Sequence, residues 1–274
     1  MARICFILLS LGLAFAAPVH AADTSSLIRL TDREDLFGWE AVGRIDMAKD
    51  GYCTGVLIAN DLVLTAAHCV FNPRTGKLYA PQKFTFKAGL RDGKTIKTLQ
   101  GLRVVADKVY NPRFGTSQRN IRHDVALIQL NGAITSFAAS PFRLHTGATK
   151  GKKVSVVSYG KGRDDALSWQ RKCNVLARDN GLMAFNCNVT HGSSGAPVFA
   201  KEGNHNRILS LISSGGKVDG KTVSFGMELP AIVKQLKKDL VNAPASGAKP
   251  SIAKVRILSV GSGKKTSGAK FIKN

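Results

Sequence analysis

An all-β barrel or sandwich is the fold class this sequence predicts, on three observations. Short β-rich runs recur along the body of the chain, Gly, Asn and Asp mark the joints between them, and one stretch alone has a sustained helical period. In order, the expected strands are 54–58 and 62–65, separated by Ala59-Asn60-Asp61, then 125–130, 153–158, 196–200, 207–213 and 222–227. The helix follows. Pro230 suits a first helical position, and Ile232, Leu236 and Leu240 recur at four-residue spacing with Lys between them. It is expected to pack on the body and to have no chemical role. No internal repeat is present.

Residues 1–21 read as an export signal. Arg3 gives a positive start, the run 4–17 is apolar apart from Ser10 and Gly12, and Val19-His20-Ala21 places small residues at the positions a signal peptidase reads. The apolar run is short for a membrane anchor, which is the alternative. Secretion, or residence in a periplasm, is therefore expected. Residues 22–38 read as an N-terminal segment or short propeptide. Past 241 the composition shifts: 242–250 is a linker of Ala, Pro, Ser and Gly, 252–260 fits one strand, and 261–274 is basic and rich in Gly and Ser.

The chain has five cysteines. Cys5 leaves with the signal, and Cys53, Cys69, Cys173 and Cys187 remain. An even set in an exported chain reads as disulfides, whose connectivity the residues alone leave open. A metal site is the rival, but these spacings lack close ligand pairs, so no metal and no cofactor is expected.

The formal net charge is +22. Lys249, Lys254, Arg256, Lys264, Lys265, Lys270 and Lys273 follow Val241 with no acid among them, yet the remainder is basic too. A field of this sign favours acidic partners such as lipid headgroups or envelope polymers, and the tail over 242–274 is a candidate tether to a polyanionic surface. No zinc-finger, ribonucleoprotein or helix-turn-helix pattern is present, so no specific nucleic-acid partner is expected.

Chemistry concentrates in three runs: Thr65-Ala66-Ala67-His68-Cys69, His123-Asp124-Val125-Ala126-Leu127 and His191-Gly192-Ser193-Ser194-Gly195-Ala196-Pro197. A serine hydroxyl is a weak nucleophile until a base takes its proton, and a carboxylate orients that base. Ala66 and Ala67 are small enough for a tight backbone turn beside an imidazole. Gly192 leaves open the space before the Ser194 N–H. Asp61 and Asp107 are rivals to Asp124, but neither precedes an apolar strand in this pattern.

In their order and spacing these runs, with Cys53-Thr54-Gly55-Val56-Leu57-Ile58 and Cys187-Asn188-Val189-Thr190 leading in, resemble the trypsin-like serine proteases of the chymotrypsin superfamily. The pattern is nearest to the bacterial secreted branch that includes glutamyl endopeptidases. The resemblance covers roughly residues 39–240. It implies two six-stranded antiparallel β-barrels, about 39–140 and 141–241, with the active site in the cleft between them and a C-terminal helix. It assigns His68 as general base, Asp124 as its orienting carboxylate, Ser194 as nucleophile, and the N–H groups of Gly192 and Ser194 as the oxyanion hole. It favours pairing Cys53 with Cys69 and Cys173 with Cys187. For substrate contacts it points to Asn188 at the pocket floor, with Val189, His191, Ser213, Ser214 and Gly215 around it, and Gly226 on the opposite wall. A monomer acting on protein or peptide substrates is expected.

Three departures narrow the resemblance. Ser193 stands where trypsin has an aspartate that receives a freshly cut amino terminus, and no Ile-Val-Gly-Gly run precedes Trp39. Asn188 stands where trypsin has the aspartate that binds Lys or Arg. Ile212 stands near the position of a histidine of glutamyl endopeptidases. An uncharged side chain before the scissile bond is expected. The rival function is a cationic pseudoprotease, a binding module on the same fold.

Overall fold

The computed structural model describes residues 24–47, 50–147 and 153–245. The expected signal (1–21) and the tail beyond 245, including the strand expected at 252–260, lie outside the described residues.

In chain order the strands are β1 (Leu27–Arg29), β2 (Val42–Met47), β3 (Tyr52–Ala59), β4 (Leu62–Thr65), β5 (Phe84–Ala88), β6 (Lys97–Ala106), β7 (Ala126–Leu130), β8 (Lys153–Gly160), β9 (Arg163–Asp179), β10 (Leu182–Phe185), β11 (Pro197–Glu202), β12 (His205–Leu211), β13 (Ser214–Val218) and β14 (Lys221–Met227). Helix α1 (Gln118–Arg122) precedes β7, and α2 (Pro230–Val241) follows β14.

Strands β2 to β7 close a six-stranded barrel in the order β2-β3-β4-β7-β6-β5. Alternation fills its interior: Phe84, Phe86 and Ala88 of β5 point inward and meet Ile45, Leu57, Val63 and Ile128. The other strands form an eight-stranded sheet, β12-β11-β8-β9-β10-β14-β13, with β1 added to β9. This corrects the expectation of two six-stranded barrels, because the second sheet is not closed. Its strands β12 and β14 meet through one side chain, and through one main-chain bond just past β12, instead of a ladder. Ser210 Oγ donates to Met227 O at 2.8 Å and accepts from Met227 N at 2.9 Å, and Ser213 N donates to Phe225 O at 2.9 Å. Gly226 belongs to this seam, where a Cβ would strike Leu211 O, and not to a pocket wall.

A core cluster of Trp39, Val42, Leu64, Val157, Tyr159, Leu167 and Phe199 joins the barrel to the sheet. Helix α2 caps it and buries Val233, Leu236 and Leu240; the expected Ile232 is only partly covered. The segment before the barrel is built into the fold. Ser25 and Leu30 pair with β9, Leu30 and Leu36 are buried, and Arg29 bridges Asp92 of the barrel to Asp165 of the sheet. No helix among the described residues is long and apolar enough to cross a membrane.

Candidate active site

His68 sits on a 3-10 turn, Ala67–Val70, directly after β4. Ala66 and Ala67 are fully buried, which brings that turn tightly onto the barrel. A disulfide from Cys69 to Cys53 of β3 fastens the next residue. The second disulfide joins Cys173 of β9 to Cys187.

Asp124 follows α1, in a loop that Asn120 organises. The Asn120 amide donates to Asn111 O and Gly115 O at 3.0 and 2.7 Å and accepts from Asn111 N at 2.9 Å. The Asp124 carboxylate is 2% exposed and collects three donors: His68 N at 2.8 Å, His68 Nδ1 at 2.7 Å and Ser213 Oγ at 2.5 Å. Two contacts to one residue fix both the backbone and the ring of His68. With Nδ1 donating to a carboxylate, Nε2 is left to accept a proton. Burial lowers the pKa of His68, but the charge of Asp124 and its hydrogen bond outweigh that, and the net shift is upward. The rival carboxylates are engaged elsewhere: Asp107 with His123 Nδ1 at 3.0 Å, Asp61 with Gln129 Nε2 at 2.9 Å.

The loop carrying Ser194 is held from β3 and β4. Thr54 N donates to Ser194 O at 2.9 Å, Thr54 Oγ1 donates to Gly192 O at 2.8 Å and accepts from Tyr159 N at 3.0 Å, and Thr65 Oγ1 donates to Thr54 O at 2.9 Å. Thr54 is thus a central organiser that the sequence reading left without a role, although it stands in the Cys53-Thr54-Gly55 run. Gly192 has φ +86°, and a Cβ there would strike the Tyr52 ring and lie 2.7 Å from Tyr159 O. Gly195, at φ +75°, packs so closely on Thr65, Thr54 and Ala66 that no side chain fits. Among the described residues nothing accepts from the N–H groups of Gly192 or Ser194. Ser193 is fully buried, its Oγ 3.1 Å from Ser158 Oγ and 3.4 Å from the Arg163 guanidinium. No hydrogen bond joins His68 to Ser194 among the described residues; such contacts commonly tighten only around substrate.

Beside Ser194 opens a pocket of about 190 Å³, lined by Val189, Thr190, His191, Ile212, Ser213, Ser214 and Gly215. Most of the expected substrate contacts therefore meet here, and Thr190 joins them. Asn188 does not. Its backbone N is held at 2.7 Å by Gln170 Oε1 and the residue is exposed, so it is not a buried floor. Ser213 lines the pocket but spends its hydroxyl on Asp124. Cys53, His68 and Cys69 place possible metal-ligand atoms within 4.8 Å of one another, but the two sulfurs are bonded to each other, which leaves no thiolate to bind an ion.

Comparison with known proteins gives a consistent result. A family model described as trypsin-like peptidase domain matches residues 53–205. A vitellin-degrading protease of Bombyx mori is 31% identical over 133 residues, 46% of this chain and 43% of that one. A glutamyl endopeptidase of Bacillus licheniformis is 23% identical over 150 residues, 54% of this chain and 45% of that one. The matches thus span less than half the length of either relative. A solved structure of a Glu endopeptidase in complex with MPD superposes with a TM-score of 0.65 at 16% identity, covering 78% of this chain and 96% of that one, a likeness of fold. The family model covers more than half of the chain, and the chain belongs to the trypsin-like peptidase domain family.

Proposed function

We propose that the protein is an exported serine endopeptidase, secreted or periplasmic. The observation that carries this reading is the double grip of the buried Asp124 on His68, beside a loop whose Gly192 and Ser194 N–H groups are free. In this reading Ser194 Oγ attacks the scissile carbonyl while His68 Nε2 takes its proton. The Gly192 and Ser194 N–H groups stabilise the oxyanion, and His68 then protonates the leaving amine. Water, activated by the same imidazole, releases the acyl group and restores Ser194.

The pocket suits one uncharged side chain. It is smaller than the roughly 300 Å³ where drug-sized ligand sites begin, and Val189 packs against Gly215 along its wall. Neither Asp nor Glu lines it, so a buried Lys or Arg would lack a counter-charge. The paired cysteines and the signal-like start support export. Cleavage of casein and of a peptide library, with Ser194→Ala and Asp124→Asn as controls, tests the reading. Cleavage lost in both variants, with uncharged residues before the cut, supports it. Cleavage retained in Ser194→Ala overturns the mechanism, and dominance of Lys, Arg or Glu overturns the specificity.

A further inference from the structure

A second cavity, of about 750 Å³, shares no lining residue with the pocket beside Ser194 and is several times its volume. It lies on the outer face of the second sheet, where the segment around Phe37 and Trp39 crosses β8, β9 and β11. Its floor is aromatic: Trp39 stands 5.1 Å from both the Trp169 and Phe199 rings, and the exposed Phe37 stands at the mouth.

The rim has a definite charge. Lys153 of β8, Arg171 of β9 and Lys201 of β11 line the cavity, and all three are exposed. Alternation puts them on one face, two residues along from Ser155, Trp169 and Phe199. The Arg171 guanidinium lies 4.8 Å from the Trp169 ring. Among the described residues none of the three makes an ion pair. Opposing them are Glu34 and Asp35, and the Asp35 carboxylate is already occupied by Thr31 N and Asp32 N.

We propose that this groove is an exosite for an extended acidic peptide segment anchored by an apolar side chain. The cations come from three separate strands around an open groove, so a single small anion reaches few of them, while a chain bearing several carboxylates reaches all. The aromatic floor takes the anchor. The basic tail of this chain carries the same sign as the rim and is an unsuited occupant. The site goes beyond the peptidase reading and does not depend on it.

The protein has two tryptophans, and both line this cavity, so its intrinsic fluorescence reports on the groove directly. The test titrates full-length protein carrying Ser194→Ala with a short peptide of Glu interspersed with Leu, free of Trp and Tyr. A saturable emission change is expected. It should weaken about tenfold in a Lys153→Glu/Lys201→Glu variant or in Arg171→Gln, persist in Lys238→Glu on the exposed face of α2, and fall with added salt. An unchanged circular dichroism spectrum and urea midpoint in the variants show that the fold carrying the groove is intact. No emission change with millimolar peptide, equal affinity after charge reversal, or equal competition by free glutamate or phosphatidylglycerol vesicles would overturn the proposal.

Discussion

The Arg163 guanidinium reaches the buried Ser193 hydroxyl, 3.4 Å away, while also donating to Ser158 O at 3.2 Å. Arg163 starts β9 and makes no ion pair among the described residues, and burial lowers its pKa. A Cβ on Gly160 would lie 2.5 Å from it, so the guanidinium fills its niche closely. The residue before Ser194 is thus held by internal polar contacts, which is the ground for predicting activity without a new chain terminus. Arg163→Met should slow both amide hydrolysis and fluorophosphonate labelling about tenfold or more with little change in KM, the expected scale for losing hydrogen bonds from a charged donor. Initial-rate kinetics, with circular dichroism to check the fold, measure this. A preparation that is inactive until cut to an Ile-type terminus would contradict it.

The upward shift of His68 sets a pH dependence. A base must be neutral to accept a proton, so kcat/KM should rise with pH through a midpoint above the unperturbed value of about 6.5. Folding responds in the opposite sense: the protonated ring is favoured in the native state, and that stabilisation is complete below the unfolded pKa and fades as pH passes the folded one. Asp124→Asn removes the charge that raises the pKa, so the midpoint of its residual activity should move down. A pH–rate profile on an uncharged peptide reads both.

The Cys53–Cys69 disulfide closes a loop of sequence separation 16, next to His68. Replacing both cysteines by alanine should cost about 3 kcal/mol by the loop-entropy model and lower activity beyond the loss of folded protein, since the turn carrying the base is released. Urea unfolding and active-site titration separate the two effects.

The segment ahead of Trp39 should be retained in the active enzyme. Leu36 is 1% exposed and Leu30 3% exposed, and a buried Leu→Ala change typically costs 2–5 kcal/mol. Leu36→Ala should therefore lower the urea midpoint markedly. N-terminal sequencing of the mature protein from its native host should find a start before Ser25. A stable, active species that starts at Trp39 would contradict this and restore a propeptide role.

Strands β3, β4 and β7 of the barrel and β8, β11, β12 and β14 of the sheet were legible because their runs are apolar on one or both faces, as in Leu62-Val63-Leu64, whereas β1, β2, β5, β6, β10 and β13 were not anticipated. Strand β9 was not legible either. Over Arg163–Asp179 its buried positions include Ser168 and Gln170, whose polar groups hide it from an apolar pattern. Gln170 binds Ser25 O and Asn188 N, contacts that only the folded chain creates. Strand β5 alternates Phe84, Phe86 and Ala88 with Thr85 and Lys87, a signal present in the sequence but not used. The run around His68 and the loop around Ser194 stood out because their small residues have no other purpose than close approach. Thr54 and Arg163 were illegible for the opposite reason: each acts on a loop more than twenty residues away in the chain, and neither sits in a spacing that implies it.

The most direct test of the central claim is covalent labelling of the purified protein with a fluorophosphonate, followed by mass-spectrometric mapping of the adduct. One adduct on Ser194, abolished in Ser194→Ala and strongly reduced in His68→Ala, is the predicted result. An unlabelled, folded protein, or an adduct on another serine, would contradict the claim and leave a peptidase fold used for binding alone.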